Sequence, residues 1–468
     1  MWNTKKISLT NHINIMSKHV IIVGAGTAGL ALGHALQKAN ADISFAVYER
    51  DRTRSDGLFG YRVGISPEGA RCLAACIPPE LFKIFQQTTA LPPDNLNMLT
   101  EQLQELLSVS GLSKVADDKI GAEYSVSRMT LHQVLLTGLE DKVHFDKNFE
   151  RYTNNADGTI TAYFKDGTLA TGDLLVAADG TNSKIRKQYL PQATLRDSGI
   201  YGLTAKVPLN DETRKLLTPK MIRGVNLINA QHGDSCIIHV MEFPWDHDGE
   251  LKNNIGGNDR ELLKMWPGAN FDNTNDYILL GFGGHNAYLP KDIMSLDGPT
   301  IHALLLERTK TWHPNLKKLY ELSDPTTCFP INIRTTDRLA PWKSTNIALL
   351  GDAIHTMTPG LGVGANTALL DAKILAENLT RVGKGEMELV AAVAEYEKQM
   401  HTYAWTRVEK SLERFNADDA IYKPGWTGSL ALMGMRLGMR FANALPPVKR
   451  MMSEQFTKER GNIDERAN

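Results

Sequence analysis

Two places in the chain bring glycine, an acid and a helix start together in a spacing that could hold an electron-rich ligand. Ile347 to Leu350 reads as a buried strand, Asp352 stands at its carboxyl end, and a loop from Pro359 to Gly364 leads into a helix. A helix that starts on a glycine turn presents free N–H groups and the positive end of its dipole. Far upstream, His19 to Val23 reads as a strand running into a Gly-x-Gly-x-x-Gly turn (Gly24, Gly26, Gly29), and Glu49 follows 20 residues after the last glycine. One unit alone is a weak signal. The pair, at opposite ends of the chain, predicts a single large cofactor held at both of its ends.

The elements that must position these residues are legible around them. Ala28 to Gln37 reads as a helix and Ile43 to Tyr48 as a second strand, completing a β-α-β unit. Thr53 to Gly60 is polar and glycine-bearing, hence a loop, and Glu101 to Ser108 is expected to be helical. Leu131, Val134 and Leu135 fall at helical spacing with Arg128 at that helix's start. Two turn signals, Ala156-Asp-Gly and Lys165-Asp-Gly, predict a small antiparallel hairpin between Arg151 and Leu169. A short buried strand then ends in Asp179-Gly180, followed by a helix with Ser183 in its first turn and Arg186 further on. From about 197 to 330 the texture changes to isolated strand-like runs, Cys236 to Phe243 and Tyr277 to Phe282, separated by polar stretches such as 246–259. After 372 the chain reads as mostly helical.

Composition narrows the classes. The 468 residues are too many for one compact core, which implies two domains or a large insertion. A net charge of -1 argues against nucleic acid as the main partner, because phosphate binding needs a basic surplus. No run of about 20 apolar residues predicts a membrane span, and the N-terminus lacks the apolar core of a signal peptide. Residues 1–17 are expected to be a disordered extension, with Met16 as an alternative start. Four cysteines make no disulfide scaffold, so a reducing, cytoplasmic setting is expected. Cys72 and Cys76, on one face of a helical stretch, read as two small buried hydrophobes. No metal site is expected.

Taken in order, Gly24 to Gly29, Ala178-Asp179-Gly180 and Gly351-Asp352-Ala353 resemble the motifs of the single-component FAD-dependent aromatic hydroxylases, the group typified by para-hydroxybenzoate hydroxylase and salicylate hydroxylase. The resemblance covers roughly residues 18 to 400. It implies an α/β fold with a Rossmann-like FAD-binding domain of the glutathione-reductase type, an inserted mixed or antiparallel β-sheet substrate domain, and a helical C-terminal region. The expected division is 18–196 and 331–395 for the two parts of the FAD domain, 197–330 for the substrate domain, and 396–468 for the C-terminal helices. The resemblance further implies an enzyme in which NADH or NADPH reduces FAD, O2 adds to give a C4a-hydroperoxide, and one oxygen is transferred to an electron-rich, aromatic or polycyclic small molecule. An FAD-dependent oxidase or reductase, and a non-catalytic FAD-binding partner protein, are the alternatives.

Residue by residue, the cofactor-binding glycines have separate tasks: Gly24 permits the tight turn, Gly26 lets the backbone approach the pyrophosphate and Gly29 allows close packing of helix on strand, while the resemblance implies Glu49 on the adenosine ribose with Arg50 beside it. Arg128 would contact the diphosphate region and Asp352 the ribityl chain, while Asp179 braces its loop beside the cofactor. Pro359, Gly362, Gly364, Ala365 and Asn366 would border the flavin ring. Arg62 stands where relatives often have a small residue, and Lys206 where some carry an active-site arginine; both are candidate catalytic residues, and Arg62 also a cofactor contact. His355 is expected to be structural. Val363 and Gly360 depart from the family pattern, the latter predicting a roomier site beside the ring. A methionine-rich run, Leu430 to Ala442, is expected to form a helix packed over the substrate domain with Arg436 and Arg440 solvated, rather than a membrane-surface helix.

Overall fold

The computed structural model describes residues 17–53, 62–110, 120–244, 276–423 and 425–461. Apart from Ser17 and Thr53, the expected N-terminal extension and the loop at Thr53 to Gly60 lie outside the described residues, as does the polar stretch at 246–259. The fold is mixed α/β, built on two large sheets. The first has five strands in the order Ile347–Leu349, Leu174–Ala177, Lys18–Val23, Ile43–Tyr48 and Val143–His144, paired in parallel throughout. Its central strands are nearly continuous runs of Val, Ile, Leu and Ala because helices and the strands of residues 149–172 pack over it. Thr27–Ala39 and Gly364–Gly383 pack against each other over it.

Backbone bonds continue past the strand ends and lock three loops side by side. Leu350 N donates to Ala177 O at 2.9 Å, Ala178 N to Val23 O at 2.8 Å, and Gly24 N to Tyr48 O at 2.8 Å. The Gly-Asp, Asp-Gly and glycine-turn motifs, distant in sequence, therefore meet along the carboxyl edge of one parallel sheet, where ligands of open α/β folds bind.

The second sheet has seven strands in the order Pro330–Thr336, Leu195–Pro208, Tyr277–His285, Ser235–Met241, Gly224–Asn229, Asn95–Leu99 and Glu105–Ser110. All pairings are antiparallel except that of Gly224–Asn229 with Asn95–Leu99. One face buries Leu203, Ala205, Ile228, Ile238, Leu280 and Phe282 under the helices Gly298–Arg308 and Pro314–Glu321. The sheet draws its last two strands from residues 95–110, within the stretch assigned from sequence to the first cofactor part. The helix expected at Glu101 to Ser108 is absent: Thr100 to Gln104 is a hairpin turn, and Glu105–Ser110 is a strand that buries Leu106, Leu107 and Val109. Mixed local charge there gives way to pairing with an available strand edge. The division expected at 395/396 falls inside one continuous helix, Leu389–Arg414.

The hairpin expected between Arg151 and Leu169 is a three-stranded meander, with both Asp-Gly signals used as turns. Helices start close to their expected positions at Thr27, Arg128 and Lys184, and the Ser183 side chain caps the last of these by accepting from Arg186 N at 2.9 Å. Cys72 and Cys76 are buried free thiols in Pro67–Cys76, each pushed up to about 12 chiefly by burial.

The three turn glycines do different structural work. Gly24 has φ +106°, and a Cβ there would lie 2.3 Å from the Ala178 carbonyl oxygen. A Cβ on Gly29 would lie 2.0 Å from Gly24 O, whereas beside Gly26 nothing comes within 4 Å. Gly29→Ala is therefore expected to destabilise the fold by about 2–3 kcal/mol through overpacking against backbone, and Gly26→Ala by less than about 1 kcal/mol. Urea unfolding of the two variants checks this; equal losses would contradict the assignment of Gly26 to open space.

Candidate cofactor site

The glycine turn is held from below by side chains. Glu49, just past the second strand, accepts from Ala25 N at 2.6 Å through one oxygen and from Asp51 N at 3.1 Å through the other. His132, on the Arg128–Leu136 helix, bonds Ala25 O at 3.0 Å. Gly26 caps Thr27–Ala39 with no side-chain bond, and the first turn carries no acid. Among the described residues, the first N–H groups of this helix therefore have neither a side-chain cap nor a first-turn acid to offset their partial charge. Arg50 is exposed beside Glu49.

In the middle loop, Asp179 accepts from Lys184 N at 3.0 Å, while its second oxygen is buried without a partner. Burial pushes this carboxyl up against the opposing bonds from Ser183 and the helix start. Arg186, 1% exposed, ties the middle loop to the third one: it donates to Thr181 O and to Ala353 O, both at 2.8 Å.

The third loop is built around a buried carboxylate outside the set chosen from sequence. Asp371, on Gly364–Gly383, accepts from Gly351 N at 2.8 Å, from His355 Nε2 at 2.6 Å and from the Tyr403 hydroxyl at 2.5 Å. Asp371 and His355 are completely buried. Desolvation alone would lower the His355 pKa, but the Asp371 carboxylate in contact with it reverses the direction, so the imidazole titrates above 6.5. This network fixes the Gly351 turn and with it Asp352. Burial among protein atoms pushes the Asp352 carboxyl up, against the pull of His355, Arg128, the Thr181 hydroxyl and Arg186. Asp352 is nonetheless open to solvent. A carboxylate surrounded by protein yet reachable by water lines a recess. Arg128 is exposed at its helix start, and its positive charge favours the ionised form of Asp352.

Beyond it, Gly362 is exposed at φ +65° and closes a turn onto Pro359 O at 2.9 Å. Gly364–Gly383 starts there with neither a side-chain cap nor an acid in its first turn. Gly364 and Ala365 are half-buried, and Val363 is buried. The Asn366 side chain is fully engaged: it accepts from Ser66 N at 2.9 Å and donates to Gly64 O at 3.0 Å, pinning the loop to the Arg62–Ile65 strand. What Asn366 can offer a ligand is therefore its backbone N–H. Gly360 does not enlarge the recess as expected, since a Cβ there would lie 2.3 Å from Ser411 O, within helix Leu389–Arg414. The residue is small so that the loop can lie against that helix.

Arg62 is half-buried, donating to Ser125 Oγ at 3.0 Å with Glu123 at 3.9 Å. It faces the second sheet at His239, whose pKa is held well below 6.5 by burial and then by the Arg62 charge, leaving the imidazole neutral. His239 lies on the sheet face opposite the helices. One row across that face is Lys206, Leu279, His239, Val225 and Leu96; the next is Thr204, Gly281, Ile237, Leu227 and Met98. Leu96, Met98, Val225, Leu227 and Ile237 are only half-buried. Lys206, with its Nζ 4.7 Å from the Tyr277 ring centroid, thus shares a face and a row with His239, two strands or about 10 Å away. Among the described residues, no group of three or more metal-ligating side chains occurs.

Sequence reasoning passed over Asp371, Tyr403, His132 and His239. A signal existed for Asp371: it sits among Leu369, Leu370 and Ala372 on an apolar helix face, where a charge requires partners.

The uncapped helix start at Gly26, the solvent-reachable Asp352 in its recess and the uncapped start at Gly364 form a line of donors and acceptors suited to a long, phosphate-bearing cofactor, and FAD fits it. Comparison with known proteins agrees. A family profile described as FAD binding domain matches residues 318–411. A solved structure from Photorhabdus luminescens, described as an FAD-containing monooxygenase, is 31% identical, covers 85% of this chain and 97% of that one, and superposes with a TM-score of 0.71. The chain belongs to the FAD-dependent monooxygenases. A dual O-methyltransferase/FAD-dependent monooxygenase of Cercospora beticola is 33% identical over 84% of this chain but only 46% of its own length, so the chain spans about half of that relative. The FAD-dependent urate hydroxylase of Klebsiella pneumoniae is 27% identical over 81% of this chain and 85% of that enzyme.

The His355–Asp371 pair predicts a pH signature in stability. Because the native pKa of His355 is raised, the folded state holds the proton more tightly than the unfolded chain. The stabilisation is complete below about pH 6.5 and is lost as pH climbs through the elevated native value. The stability gap between the wild type and His355→Gln, read from urea midpoints, should narrow from pH 6 upward; a gap constant in pH would contradict the coupling.

Proposed function

We propose that the chain is an NAD(P)H- and O2-consuming FAD monooxygenase that hydroxylates or epoxidises an electron-rich, aromatic or polycyclic small molecule. The observation that carries the reading is the meeting of the Gly24, Asp179 and Asp352 turns along one carboxyl edge, with an uncapped helix start at each end of the line. In this reading the pyrophosphate would approach the backbone at Gly26, with Gly24 making the turn and Gly29 the close helix packing that present it, and the adenosine ribose would lie at Glu49 with Arg50 alongside. Arg128 meets the diphosphate region, Asp352 accepts from the ribityl hydroxyls, and Pro359 to Asn366 border the ring. Asp179 braces the loop between them.

The oxygen-activating chemistry is the flavin's own once NADH or NADPH has reduced it. The chain contributes the surroundings. The N–H groups of Gly364, Ala365 and Asn366 oppose negative charge at the ring. The half-buried Leu, Met, Val and Ile side chains of the second sheet exclude water from an apolar substrate. Arg62 and Lys206 supply positive charge near that face for a phenolate or acid substituent, and neutral His239 supplies a hydrogen-bonding group. Four buried free thiols suit a reducing compartment, in keeping with a cytoplasmic assignment.

A panel of phenolic, indolic and polyketide-like compounds, screened for acceleration of NAD(P)H oxidation under 18O2, tests the reading. The expected result is at least a tenfold acceleration by one class, with one labelled oxygen atom in the product. NAD(P)H consumption that yields only hydrogen peroxide with every compound would make the protein an oxidase.

A further inference from the structure

Among the described residues, the hydrogen bonds that hold the C-terminal helix Trp426–Ala444 to the outer edge of the seven-stranded sheet leave from one side of the helix. Arg436 donates to Glu101 and, at 2.9 Å, to Asn229 O; Arg440 donates to Gln104 Oε1 at 2.7 Å; and Asn443 Oδ1 accepts from Ser108 N of the edge strand at 3.3 Å. The helix thus covers a strand edge that would otherwise be open to other chains. Arg436 is drawn into this docking rather than solvated, a correction to the sequence expectation, whereas Arg440 stays exposed as expected while it bonds Gln104. Those bonds fix the helix's rotation and turn the opposite face outward. Trp426, Leu430, Met433, Leu437, Phe441 and Leu445 recur there every three or four residues, and Trp426, Leu437 and Phe441 are 76%, 57% and 69% exposed.

The stripe holds no charge. With Met451 on the following helix, it exposes on the order of 800 Å² of apolar side chain, larger than the patches monomers usually leave open and close to what each partner contributes to a standard interface. At its centre Gly434 and Gly438, four residues apart, have nothing within 4 Å of where a Cβ would stand. They form a notch between larger side chains, of the kind that lets two helix backbones approach closely.

We propose that this face is the interface of a homodimer, in which the Trp426–Ala444 helices of two copies pack antiparallel across a two-fold axis near Gly434 and Gly438. A two-fold axis there sets the aromatic end of one helix against the Phe441–Leu445 end of the other, so the same stripe serves both copies. A lipid surface is the less suited occupant. Interfacial helices carry several basic side chains along both flanks of the apolar stripe to meet phosphate headgroups; here Arg436 is bound to the sheet, Arg440 bonds Gln104, and the exposed Arg450 stands only at the Met451 margin.

Sedimentation velocity of the full chain, with and without added FAD, tests the proposal. The wild type is expected to be a dimer at micromolar concentration, and Leu437→Glu and Phe441→Glu, both outside the cofactor site, are each expected to weaken it at least a hundredfold while circular dichroism stays unchanged and the thermal midpoint loses its dependence on protein concentration. Gly438→Leu, which fills the notch without adding charge, should weaken the dimer as well. A monomer at tens of micromolar, or a dimer indifferent to all three substitutions, would overturn the proposal. So would a monomeric wild type that co-sediments with vesicles of equal parts phosphatidylcholine and phosphatidylserine.

Discussion

One buried carboxylate holds the chemically important loop in place. Asp371 accepts three hydrogen bonds, from a backbone N–H, an imidazole and a phenol, and each donor comes from a segment that must be oriented. Gly351 is the turn that presents Asp352; His355 ends the short helix after it; Tyr403 belongs to the long helix that backs the parallel sheet. A carboxylate taken fully out of water is costly unless its lone pairs are met and a charge opposes it. Here three donors, and an imidazole whose pKa is raised by the contact, meet both conditions. Removing any one donor would leave a buried charge short of partners, so the loop has little freedom to take another shape.

That rigidity matters because Asp352 is itself in an unfavourable place. It is surrounded by protein, so its charge is disfavoured, yet water reaches it. Arg128, Arg186 and His355 oppose the penalty without closing the recess. Arg186 also bonds the carbonyls of two loops and so ties the middle motif to the third. In the proposed arrangement this is a site prepared in advance for hydroxyl donors, with little reorganisation left for binding.

Much of this was legible in the sequence, and the rest was not for identifiable reasons. The glycine turn, the Asp179 turn and the Asp352 turn are local patterns whose residue types follow from backbone geometry and close approach, so they can be read in one chain. The β-α-β start and the second sheet follow from apolar periodicity. The strand at Glu105–Ser110 was missed because its stability lies in pairing with Asn95–Leu99 and in the helix that covers its outer edge, neither of which local composition reports. Asp371 and Tyr403 are 32 residues apart and meet only when two helices pack. Gly360 drew the opposite error: its small size was assigned to the ligand side, whereas the backbone of Leu389–Arg414 is what requires it.

The central claim is that one FAD lies across the three strand ends with Asp352 on its ribityl chain. Equilibrium titration of FAD into purified apoprotein, followed by flavin fluorescence, tests it most directly when wild type and Asp352→Ala are compared. The account predicts one FAD per chain and an affinity about 10- to 100-fold weaker in the variant, the loss of hydrogen bonds to one charged acceptor. A folded wild-type protein that binds no FAD, or a variant that binds it as tightly as the wild type, would contradict the account.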